Sequence, residues 1–277
     1  MHPQPDSNLE RIRHPEIVPL EISDVRVDGA TLWEWSQDPR FASVLRRALE
    51  RWHEGHRPGR PDEPAPAGVP GFEAAFLTGG RTESHPVRAE LAGLPWPVFF
   101  GADALFAGER GGFDLLRVRA PSGWVADLGK SQFKLSAPGR RWVFARDWIR
   151  LPQAYQVPPA QVPAQRRRLR EFIAMSLQLA MAESSQRPQA LVFAIPTRLD
   201  ADGTPGNNNY AGLTGDRALL PEALALAGLD ALPLFVLNDA ELAALSARTD
   251  GRLGGFRKVL VLTLGFGIGA AMIHRCG

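Results

Sequence analysis

The stretch Trp124-Val-Ala-Asp-Leu-Gly-Lys-Ser-Gln-Phe-Lys-Leu-Ser136 constrains this chain more than any other. A short apolar strand runs into Asp127, and Gly129, Ser131 and Lys134 follow as the chain resumes as a strand. A carboxylate can hold a hydrated Mg²⁺, and a glycine lets backbone N–H groups approach phosphate oxygens. A hydroxyl and an ammonium then complete an anion cradle. The segment therefore reads as a phosphate-binding β-hairpin. Aspartate and glycine are also ordinary turn residues, so a plain hairpin turn is the competing account of this motif alone.

Two segments follow downstream. Leu234–Leu245 reads as a buried strand that delivers Asn238 and Asp239 to the start of a helix. Val259–Ile273 reads as a strand, a turn with Gly265, Gly267 and Gly269, and a return strand. Taken with Asp127-Leu-Gly-Lys-Ser131, these blocks resemble the actin-like ATPase and sugar-kinase superfamily, and more closely the ROK group of repressors, open reading frames and kinases. The corresponding motifs there are D-x-G-G-T, N-D-A-N-A-A-A and G-T-G-x-G. Ala190–Gly203 resembles the family strand that ends in a Pro-Gly turn.

The resemblance implies an α/β, two-lobed actin-like ATPase (ribonuclease H-like) fold with a cleft between its lobes. It also implies ATP and Mg²⁺ as cofactors and a sugar or sugar-like hydroxyl as acceptor. Asp127 would hold the metal through water. Gly129, Lys130, Ser131, Gln132 and Lys134 would surround the phosphates together with Gly265, Gly267 and Gly269. Asp239 takes the family position of the general base. Asn207, Asn208, Asn209, Asn238 and Glu241 are the expected acceptor contacts. Asp239 is equally an ideal helix cap, a role Asn238 could take instead, and a run of Asn is also turn material.

The order of these blocks departs from the family. Only eight residues follow Gly269, while about 120 precede Asp127. That leading stretch contains Phe72–Gly80, a strand ending in Gly79-Gly80, then a helix over 86–94 and Trp96–Ala107, a short strand and a helix opened by Gly101-Ala. This resembles the family's C-terminal end, where a Gly-Gly loop packs on adenosine. The expectation is a circular permutation, with 1–110 plus 258–277 as the adenosine-side lobe and 111–257 as the first-phosphate-loop and substrate lobe. A fragment carrying an unrelated leading extension is the alternative. Lys130 replaces the second glycine of D-x-G-G-T, and Phe266 replaces the threonine of G-T-G. A single cysteine cannot build the family's zinc site. These departures keep a second function open: a non-catalytic nucleotide- or sugar-binding sensor or assembly protein.

Composition narrows the rest. Hydrophobic residues are 44% and charged residues 22%, so a packed core is expected and global disorder is not. A net charge of +2 gives no case for nucleic acid. No apolar run approaches the ~20 residues that span a bilayer, so no membrane partner is expected and cytoplasmic residence is the default. A homodimer is compatible with the family. Residues 1–24 read as loosely held, 109–122 as a linker and 140–148 as the second strand of the Asp127 hairpin. The basic run Arg166–Arg170 reads as a solvated helix face.

Overall fold

A computed structural model describes residues 8–275 except 24, 55, 58–59, 65–70, 104, 118, 147–156, 207–211 and 266. It is a mixed α/β protein. Ahead of the first long helix come strands β1 (Leu9–Arg11), β2 (Ile17–Leu20), β3 (Arg26–Val27) and β4 (Ala30–Thr31). Helices α1 (Leu32–Trp35) and α2 (Phe41–His53) precede β5 (His56–Arg57), β6 (Arg60–Pro64) and β7 (Ala74–Thr78). Helix α3 (His85–Leu91), β8 (Val98–Phe100) and α4 (Glu109–Leu116) lead to the meander β9 (Trp124–Leu128), β10 (Gln132–Ala137) and β11 (Arg140–Ala145). Helix α5 (Val162–Glu183), β12 (Leu191–Ile195), α6 (Leu219–Leu226) and β13 (Leu234–Asn238) follow. The described chain closes with α7 (Asp239–Arg248), β14 (Lys258–Leu264) and β15 (Ile268–His274).

The chain divides into two compact units, Met1–Arg13 with Gly112–Asp239 and His14–Gly111 with Ala240–Gly277. The first is built on a six-stranded sheet of order β1-β13-β12-β9-β10-β11. Strands β9, β12, β13 and β1 run parallel, and β10 and β11 fold back as an antiparallel meander. Strand β12 is apolar throughout and buried at all five positions, as a central parallel strand must be. Helix α5 presents Leu169, Phe172, Ile173, Ser176, Leu177 and Ala180 to the interior at helical spacing. Phe133 is at the centre of this core, with ring centroids 5.6 Å from Phe193 and 6.2 Å from Phe172.

The second unit is built on a five-stranded sheet of order β2-β15-β14-β7-β8. Here β14, β15 and β2 form the antiparallel meander, while β7 and β8 run parallel to β14. Val259 pairs with Ala74 and Met272 with Val18, so strands from opposite ends of the sequence share one sheet. Helix α2 buries Phe41, Val44, Leu45, Ala48, Leu49 and Trp52, a stripe of i, i+3, i+4, i+7 periodicity. Among the described residues no helix is long and apolar enough to cross a membrane.

Four expectations are corrected. Residues 9–11 and 17–20, read as loosely held, are edge strands of the two sheets, because each adds its backbone hydrogen bonds to an open parallel or antiparallel edge. The helix expected after Gly101 does not form among the described residues and begins at Glu109, inside the segment read as a linker. Its glycines serve close approach rather than flexibility: a Cβ on Gly111 would lie 2.4 Å from the Ser246 nitrogen, and one on Gly112 would lie 2.6 Å from Val125. Arg140–Ala145 is the third strand of the meander, not the second, since Pro138-Gly139 makes an additional turn with Gly139 at φ +75°.

The fourth correction concerns the basic run. Arg166 and Arg170 turn inward on α5, where Arg170 Nη2 lies 2.6 Å from Asp216 Oδ1 and Arg166 Nε lies 3.8 Å from Oδ2. Asp216 is 3% exposed at its side chain, and Arg170 also pairs with Glu222. Arg167 and Arg168 behave as read: both are exposed, Arg167 with 72% of its side chain in solvent.

Candidate functional site

In the first unit, Asp127 and Asn238 stand at the carboxyl ends of parallel strands. The register pairs Asp127 with Ala194 and Ile195 with Asn238, so β12 separates the two by one strand. Adjacent strands lie about 4.8 Å apart, which sets the Asp127 and Asn238 backbones roughly 10 Å from each other on one sheet edge. Carboxyl edges of parallel sheets are where ligands are held, because loops and helix N-termini gather there.

Each side chain has an assigned local role. Lys134 faces Asp127 directly across the β9–β10 pair, and its Nζ lies 2.6 Å from Oδ2. Both are part-exposed, 18% for Lys134 and 27% for Asp127, so the pair reaches solvent. The turn between them is tight: Gly129 N donates to Gln132 O at 2.9 Å. Ser131 is exposed, and Lys130 and Gln132 are half-buried. A single carboxylate near solvent fits Mg²⁺, which keeps most of its waters and takes one or two protein oxygens besides phosphate.

Asn238 Nδ2 donates to Thr197 O at 2.8 Å, tying the end of β13 to the turn that follows β12. Asp239 is the first residue of α7, half-buried, where the helix dipole favours a negative charge. Asn238 thus precedes the helix, and Asp239 need not be the cap. Asn207, Asn208 and Asn209 lie outside the described residues.

The second unit has its own carboxyl edge. Gly79 follows β7 at φ +95°, and a Cβ there would lie 2.6 Å from Leu264 O and 2.8 Å from Leu264 N. This glycine is therefore required by the fold. Gly80 and Gly265 have open space where a Cβ would stand. Gly265 N donates to Gly267 O at 3.1 Å across the β14–β15 turn, while Gly269 pairs with Thr263 inside the ladder rather than at the turn. Glu241, on α7, is 5% exposed. Phe266 lies outside the described residues.

Sequence reading missed Arg146, which follows β11 and is 1% exposed. Its Nη1 donates to Gly129 O, and its backbone N donates to Ser131 O at 2.9 Å. An arginine after an exposed edge strand carries no sequence signal for burial. No family model, curated protein or solved structure matches this chain.

Proposed function

We propose that the protein is an ATP-dependent phosphotransferase acting on a sugar or sugar-like hydroxyl, with Asp239 as general base. The observation that carries this reading is the placement of Asp127 and Asn238–Asp239 on one carboxyl edge of the first sheet, one strand apart. Two sheets of related pattern, each three antiparallel strands flanked by strands parallel to the first of them, three in the six-stranded sheet and two in the five-stranded one, further support an actin-like fold. The pairing of β2 with β15 and of β7 with β14 supports its circular permutation, as does the chain order of the motifs.

In this reading Asp127 anchors Mg²⁺, whose charge would neutralise the transferring phosphoryl group. Gly129, Lys130, Ser131 and Gln132 present the β9–β10 turn to phosphate. Lys134 holds the Asp127 carboxylate in place and supplies positive charge beside it. Asp239 takes the proton of the acceptor hydroxyl. In the second unit, taken alone, Gly79-Gly80 and the Gly265–Gly267 turn are the proposed nucleotide contacts. A non-catalytic binder is the second reading, and one observation favours it: the Asp127 charge is already paired with Lys134.

Titration calorimetry with Mg-ATP tests the nucleotide half of the proposal. Asp127→Ala removes the metal's carboxylate and should weaken Mg-ATP binding by about tenfold or more. Equal affinity in the variant contradicts the assignment of Asp127.

A further inference from the structure

The β9–β10 turn is held from its inner side. The carbonyls of Gly129 and Ser131 accept from the Arg146 guanidinium and the Arg146 backbone N–H, and that of Gln132 accepts from Gly129 N. Arg146 is buried at 1% exposure, with its guanidinium carbon 5.8 Å from the centre of the Phe172 ring. In a planar trans peptide the C=O and the following N–H point in opposite directions. Fixing Gly129 O on Arg146 therefore aims Lys130 N–H away from the guanidinium. Glycine offers little steric resistance to a peptide flip, so without that bond the turn could reverse this N–H.

We propose that Arg146 is a positioning residue: it fixes the peptide orientation of the Gly129–Gln132 turn and thereby sets its affinity for the phosphates of Mg-ATP. The inference rests on the phosphotransferase reading. A buried arginine is costly to desolvate, and an apolar side chain in its place recovers that cost but leaves the Gly129 carbonyl without its donor. The bond to Gly129 O gives this buried charge a role in the turn.

The test sets stability against affinity. Arg146→Met keeps the volume over Phe172 and removes the donors. Recovered desolvation and the orphaned Gly129 carbonyl oppose each other, so the urea midpoint should stay close to wild type, yet Mg-ATP should bind about tenfold or more weakly, the scale of one charge-assisted hydrogen bond. Arg146→Lys keeps a donor and the charge. It should lose stability but recover most of the affinity, the opposite ranking from a packing role. The Gly129 amide, bonded to Gln132 O, should exchange slowly in wild type and faster in Arg146→Met. If that variant does not fold, Arg146→Gln takes its place, with weaker binding and faster Gly129 exchange expected. Wild-type affinity in the Met variant, or affinity that follows stability in both variants, overturns the proposal. A wild-type chain that binds no Mg-ATP overturns the phosphotransferase reading and the ligand half of this one. Gly129 exchange then decides whether Arg146 positions the turn.

Discussion

At the scale of single residues, charge pairing decides more than residue type. Lys134 reads in sequence as a phosphate contact, and cross-strand register also sets it against Asp127; register is a property of turn length that spacing alone does not display. Asp216 carried no signal at all, yet it is the buried counter-ion of two arginines. Asp216→Ala should destabilise the first unit by about 3 kcal/mol, the lower end for breaking a buried pair, because Arg170 keeps Glu222 and Arg166 is partly solvated. A urea titration checks it, and a change below about 0.5 kcal/mol would demote the pair to a surface contact. Asp38 gives a pH-dependent case. The Arg40 guanidinium, with help from its backbone N–H, lowers this carboxyl from 3.8 to about 2. Since the folded value is the lower one, the contribution is complete above pH ~4 and fades as pH falls towards 2. A carboxyl-carbon NMR titration should show that midpoint, and Arg40→Ala should return it towards 3.8.

At the scale of elements, periodicity was legible and tertiary contact was not. The apolar stripes of α2 and α5, the all-apolar β12 and the apolar run Leu234–Leu237 of β13 announce themselves, because burial is written at fixed spacing or as a continuous apolar run. Helix α4 hides behind Gly111-Gly112, which local propensity reads as a break although Ser246 and Val125 demand the missing side chains. Strand β2 hides because four residues containing Pro19 are too short to show alternation. The glycine turns divide in the same way. Gly79→Ala forces a side chain at φ +95° into Leu264 backbone and should cost about 2–3 kcal/mol. Gly265→Ala meets nothing within 4 Å and should leave the urea midpoint within about 0.5 kcal/mol of wild type. Equal effects of the two substitutions would contradict this division between a glycine the fold needs and one it does not.

At the scale of the whole molecule, the sequence order of the blocks pointed to a rewired chain, and the pairing of residues 74–78 with 259–263 bears on it directly. What composition could not provide is how the candidate carboxylates share a sheet edge, since that follows from strand order rather than from any local motif. Asp239, the first residue of α7 just beyond that edge, is the proposed general base. The most direct measurement is ADP release from Mg-ATP across a panel of sugars, run on wild type and on Asp239→Asn, which preserves a residue suited to a helix start. The wild-type protein should release ADP with at least one sugar. The variant should keep its fold and Mg-ATP affinity while losing about 10²–10⁴-fold in rate, the usual contribution of a general base. Full activity in the variant, or a wild type that binds Mg-ATP and phosphorylates no sugar, would contradict the account.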